Sequence, residues 1–191
     1  MHTEYLNRFI DALKGTAFYK GSVKADDYEE GIGLLFDVFS EAKEKGGTLY
    51  FVGNGGSAAI ASHMTSDFKK NGCMKTGALL DASVITCFGN DFGYDYIYSK
   101  QLEQIGEEGD VLVAISSSGN SPDIVNAVLQ AKKIGMKVIT FSGFKSDNKI
   151  KSMGDINVYT AIEQYGIVES VHITILQQVV DAILDRDGAF I

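Results

Sequence analysis

The sequence predicts an α/β fold, a three-layer sandwich in which helices cover both faces of a mostly parallel sheet. Three observations predict it. Short apolar segments of strand length alternate with longer segments of helical period. Two glycine- and serine-rich loops each follow a strand and precede a helix. The composition, 45% apolar and 22% charged over 191 residues, suits a chain that buries one sizeable core.

In chain order, Leu6, Phe9, Ile10 and Leu13 recur at helical spacing and define a first helix, whose stripe Phe18 extends. A break follows at Gly21-Ser22. A second helix is expected from Ala25 to Lys45, with Tyr28, Ile32, Leu35, Phe36 and Phe39 on one face. Gly46-Gly47 ends it, as glycines commonly do. The pattern then changes to strands at Thr48–Val52, Ser83–Phe88, Val111–Ile115, Lys137–Phe141 and Ile156–Tyr159. Helical stretches between them begin near Ser57, Tyr94, Ser121 and Ser146, and a long last helix runs from Gly166 to Arg186. Pro122 takes a first-turn position where its missing N–H is tolerated. With no repeat, low-complexity tract or linker, residues 1–191 read as one domain.

Charge and cysteine usage exclude some function classes. A net charge of -8 argues against nucleic acid and anionic membranes, which need a basic surface. Cys73 and Cys87 follow no metal or redox spacing and read as reduced thiols of a cytoplasmic protein. The start of the chain lacks the apolar segment of a signal peptide, and no run reaches the roughly 20 apolar residues that span a bilayer.

The first loop is Gly53-Asn54-Gly55-Gly56-Ser57. Its glycines let the backbone turn sharply and bring N–H groups to a ligand, and the helix start that follows favours an anion. The second is Ser116-Ser117-Ser118-Gly119-Asn120-Ser121, with several hydroxyls beside another helix start. Either loop alone is equally well a tight turn with an N-cap serine. Together, at the carboxyl ends of strands in one sheet, they suit a phosphate monoester. Neither is a Walker A or a GxGxxG loop.

Further on, His63 and Asp67 stand at i and i+4 on one helix face. Glu169 and Gln177 share a face of the last helix, with His172 between them. Such groups either bind Zn²⁺ or a similar divalent ion or move protons as a general acid and base. Read structurally, a His–Asp pair at this spacing is a modest helix-surface pair, His172 is a satisfied core or interface histidine, and Tyr94, Tyr96 and Tyr98 pack.

The segments GNGGSAAIASH, CFGNDFG and GDVLVAISSSGNSPDIVNA resemble the sugar isomerase (SIS) domain family, most of all its sedoheptulose-7-phosphate (phosphoheptose) isomerases. The resemblance spans nearly the whole chain as a single SIS domain. It implies two N-terminal helices, a five-stranded parallel sheet and a homotetramer with sites at subunit interfaces. It implies a phosphorylated sugar as partner, with Ser57, Ser116, Ser118 and Ser121 on the phosphate and Asn54 and Asp91 lining the sugar site. Gly55, Gly56, Ser117 and Asn120 belong to the same loops, and Asn90 adjoins Asp91.

His63 matches the family's metal-binding histidine. Asp67 stands where the family has a glutamate that serves as metal ligand and acid/base group. Glu169 stands where the family has glutamine, and Gln177 where it has a second catalytic histidine. Gln177 does not titrate. A site of His63, Asp67, Glu169 and Gln177 is zinc-binding by resemblance and suits manganese, iron or magnesium by its oxygen ligands. Two readings stand: conversion of sedoheptulose 7-phosphate to D-glycero-D-manno-heptose 7-phosphate for surface polysaccharide, with Asp67 as base, or a non-catalytic sugar-phosphate-binding or adaptor protein.

Overall fold

A computed structural model describes residues 2–188. Seven strands form one sheet in the order β2-β1-β7-β6-β5-β3-β4. They are β1 (Ala17–Lys20), β2 (Val23–Lys24), β3 (Thr48–Gly53), β4 (Lys75–Gly77), β5 (Val111–Ser116), β6 (Lys137–Gly143) and β7 (Ile156–Thr160). The five from β4 to β7 run parallel, and β1 and β2 add an antiparallel hairpin beside β7. The expected five-stranded parallel sheet is therefore present inside a seven-stranded one.

The helices are α1 (His2–Lys14), α2 (Tyr28–Lys45), α3 (Gly56–Lys70), α4 (Ala82–Phe92), α5 (Ser99–Ile105), α6 (Pro122–Ile134) and α7 (Tyr165–Asp187). Strand alternation sends Leu49 and Phe51 to a core with α2, α3 and α7, and Tyr50 and Val52 to a second core with α5 and α6. Burial on both faces explains why β3, β5 and β6 read as nearly unbroken apolar runs.

Three expectations are corrected. Ser83–Phe88 is not a strand but part of α4. Asp81 caps it, accepting from the N–H groups of Ser83 and Val84 at 2.9 and 3.1 Å, and this local cap overrides the β-branched run. Phe18 does not extend α1. It lies on β1 opposite Val158, 1% exposed, packed on Gly31 where any side chain would collide with its ring. Gly21-Ser22 is the hairpin turn between β1 and β2, with Gly21 at φ +59°. The helix expected at Ala25 starts at Tyr28, where Asp27 accepts from Glu30 N–H.

By length and composition α7 is apolar enough to cross a membrane. In the fold it buries Ile167, Val168, Val171, His172, Ile175 and further residues within the protein. Its neighbours include α2 and α3.

Candidate functional site

β3 and β5 are adjacent parallel strands in register, so the loops that leave their carboxyl ends meet. They enclose a 340 Å³ cavity lined by Asn54, Gly55, Gly56, Ser57, Ser116, Ser117, Ser118, Ser121, Tyr165 and Glu169. A larger cavity of 690 Å³ lies at the amino edge of β6 and β7, among side chains of mixed charge. Ligands of open parallel sheets bind at the carboxyl edge, where the smaller cavity is.

The serine loop is held from within. Gly119, at φ +65°, donates its N–H to Ser116 O and Oγ at 3.0 and 3.1 Å. A Cβ there would meet the Asn148 side chain. Asn120 folds back onto Ser118, and its Oδ1 accepts from Lys149 N–H. Ser116 Oγ and Ser121 Oγ lie 3.4 Å apart, and Ser117 Oγ is buried without a partner. Ser121 is the N-cap of α6, yet its hydroxyl caps no N–H of that helix, and α3 likewise begins without a side-chain cap. Two sets of first-turn N–H groups thus stand at the loops, and such groups bind anions well.

Asn54 is fixed from two sides. Its Nδ2 donates to Asp123 Oδ1 at 3.0 Å, and its Oδ1 accepts from Tyr94 Oη at 3.0 Å. Asp123 is buried, its Oδ2 has no partner, and desolvation raises its pKa. Tyr98, also buried, donates to Gly53 O at 2.6 Å. The tyrosines were expected to pack; two of the three also hold the first loop by hydrogen bonds. Sequence spacing carries no signal for Asp123 or Tyr94, whose partners are 69 and 40 residues away.

Glu169 points into the cavity over Gly56. Its pKa is raised by desolvation. Gln177 lies two turns further along α7, beside His63 and Asp67 of α3. Its Nε2 is 2.5 Å from Asp67 Oδ2 and 3.1 Å from His63 Nε2, and those two atoms are 3.1 Å apart. So α3 and α7 run side by side in the same direction, with Glu169 at one end of their seam and the Gln177 cluster at the other. The four expected metal-site residues separate into three and one. Among the described residues, no group of three or more His, Cys, Asp and Glu side chains gathers as a metal site. With Glu169 eight residues and about 12 Å of helix rise from Gln177, and with the Gln177 amide, His63 Nε2 and Asp67 Oδ2 in direct contact with one another, this arrangement does not fit a divalent cation.

Asn90 and Asp91 lie on exposed α4, outside the cavity, bonded to each other through Asn90 Nδ2 and Asp91 Oδ1. His172 is fully buried, its Nε2 3.2 Å from Ser142 O and its Nδ1 without a partner.

Comparison with known proteins agrees with this architecture. The SIS domain family matches residues 22–143. The phosphoheptose isomerase of Salmonella dublin is 34% identical over 194 residues, covering 96% of this chain and 94% of that one. The structure of phosphoheptose isomerase from Neisseria gonorrhoeae matches with a TM-score of 0.82 and 28% identity, over 98% of this chain and 95% of that one. One from Francisella tularensis matches at 0.79 and 25%, over 96% and 94%. With the family matched over more than half its length and such relatives over nearly all of it, the chain belongs to the SIS domain family, among the phosphoheptose isomerases.

Proposed function

We propose that this protein is a phosphosugar aldose–ketose isomerase acting on sedoheptulose 7-phosphate. The meeting of two anion-suited loops in one cavity carries the proposal, and relatives named phosphoheptose isomerase support the choice of sugar. Ser57, Ser116, Ser118 and Ser121 hold the phosphate together with the first-turn N–H groups of α3 and α6. The sugar then extends along the seam of α3 and α7, with Asn54 on its hydroxyls. Residues 1–191 act as one SIS domain.

An aldose and its ketose have the same composition, so no oxidant is required. A base takes the proton from the carbon beside the carbonyl while an acid protonates the carbonyl oxygen; the protonated base then returns its proton to the former carbonyl carbon of the enediol, and the neighbouring hydroxyl gives its proton back to the acid's conjugate base. His63, whose Nε2 lies 3.1 Å from Asp67 Oδ2, is placed to polarise the carbonyl. Asp67 is the base, held by Gln177.

A homotetramer with interfacial sites completes the proposal. Neither α1 nor α4 buries a residue in the single chain, and Tyr5, Leu6 and Phe92 are exposed. Asn90 and Asp91 would then serve a neighbour's cavity. Exposed free Cys73 and Cys87 support a reducing, cytoplasmic setting.

The test is incubation with sedoheptulose 7-phosphate, followed by NMR of the sugars. An aldose 7-phosphate is expected. Asp67→Asn should cut turnover at least about 100-fold while sparing phosphosugar binding. Binding without any turnover in the unaltered protein would overturn the isomerase assignment in favour of a sugar-phosphate-binding module.

A further inference from the structure

We propose that Gln177 stands in for a cation: its amide bridges His63 and Asp67 and makes this centre metal-independent. The three side chains meet in one closed contact with no room between them. A primary amide has two N–H donors. Here Nε2 donates to Asp67 Oδ2 at 2.5 Å and lies 3.1 Å from His63 Nε2, which is itself 3.1 Å from Asp67 Oδ2. Those are the lone pairs that a cation between the helices would need.

The orientation of the amide follows from its neighbours. Turned the other way, Gln177 Oε1 would face a carboxylate oxygen at the 2.5 Å contact, acceptor against acceptor. With Nε2 inward, the amide donates to Asp67 Oδ2, and His63 Nε2 lies 3.1 Å from both atoms. A cation would have to break the hydrogen bond from Gln177 to Asp67 and turn the amide. In return it would gain one imidazole, one carboxylate and one neutral amide oxygen, because the Glu169 carboxylate stands two helical turns away, over Gly56 at the cavity.

Gln177 is therefore a positioning residue. It fixes the Asp67 carboxylate and the His63 ring relative to each other by hydrogen bonds alone. The isosteric change Gln177→Glu reverses the situation. It places a second carboxylate against Asp67, and a divalent ion is then the way to relieve the repulsion.

Direct metal titration tests this without reference to the isomerase assignment. Chelator-stripped protein is titrated with Zn²⁺ and with Mn²⁺, and bound metal is counted per chain. The unaltered protein is expected to bind no stoichiometric metal through this centre. Gln177→Glu should gain at least about 100-fold in affinity, by the weight of a direct ligand over a supporting one, and lose it again on adding His63→Ala. One tightly bound metal per chain in the unaltered protein, removed by His63→Ala, would overturn the proposal. So would Gln177→Glu that folds and gains no metal. Where the protein turns over sedoheptulose 7-phosphate, its rate should survive stripping by chelator; a protein with no turnover at all leaves the metal result standing and refutes only the isomerase reading.

Discussion

Glu169 of α7 lies against Gly56, the first residue of α3. A Cβ built at Gly56 would stand 2.3 Å from Glu169 Oε2. The atom in the way is the tip of a flexible side chain, so the fold yields at a cost of about 1 kcal/mol or less. Gly56→Ala is expected to keep its melting temperature within a few degrees and lose at least about 10-fold in kcat/KM, because the displaced carboxyl crowds the phosphosugar cavity. Gly53→Ala is the contrast. Its Cβ would meet Ser57 backbone atoms at 2.6 Å, which do not swing aside. That variant should lose about 1–3 kcal/mol of stability, read by urea unfolding.

The double anchoring of Asn54 predicts a binding defect. Asp123→Ala removes the acceptor of Asn54 Nδ2, and Tyr94→Phe removes the donor to its Oδ1. Each should raise KM for the phosphosugar by roughly 5- to 10-fold, the weight of one hydrogen bond, with kcat changed less. Asp123→Asn retains a side-chain oxygen at the acceptor position and should recover most of the loss. Steady-state kinetics of the three variants decide it.

The hydroxyls of the serine loop should act on affinity rather than on folding. Ser121 is half-buried and its hydroxyl caps no N–H of α6. Ser121→Ala and Ser118→Ala are each expected to weaken phosphosugar binding about 10-fold, since hydrogen bonds to a charged group are worth about 1.5–3 kcal/mol. Calorimetric titration with the phosphosugar measures this, and unchanged affinity in both would remove the phosphate from the loop.

His172 predicts a pH dependence of stability. Burial lowers its pKa from the ordinary 6.5 to about 4. Between those values the unfolded chain binds a proton at this imidazole and the folded chain does not. Stability therefore rises with pH across the window and is lost as pH falls from 6.5 toward 4. The whole shift is worth about 3 kcal/mol. His172→Leu should be less stable near neutrality, having lost the partner of Ser142 O, yet show a shallower fall toward acid. Urea midpoints at several pH values measure the difference in slope.

Most of the parallel core was legible because a strand buried on both faces leaves an apolar run that few other structures leave. The loops were legible because glycine and serine after a strand have a short list of uses. Ser83–Phe88 misled because its β-branched residues favour strands, whereas the decisive residue was the single cap Asp81 before it. The three residues of β4 and the two of β2 are too short to show a period. At the site, spacing along α7 put Glu169 and Gln177 on one face but carried nothing about which part of α3 each would meet. That depends on how the two helices pack. The links of Asn54 to Tyr94 and Asp123 are tertiary, and no local pattern encodes them.

The two borders of the sheet bear on how copies of this chain can meet. At one border stands β2, two residues long with Lys24 on it; at the other stands β4, three residues long and opened by Lys75. Lys75 already turns its ammonium to Gly46 O at 2.9 Å. Short, lysine-bearing borders are poor templates for an added strand. The sheet is thus closed to growth at both ends, protected from edge-to-edge aggregation, and any specific self-association has to go through the helices.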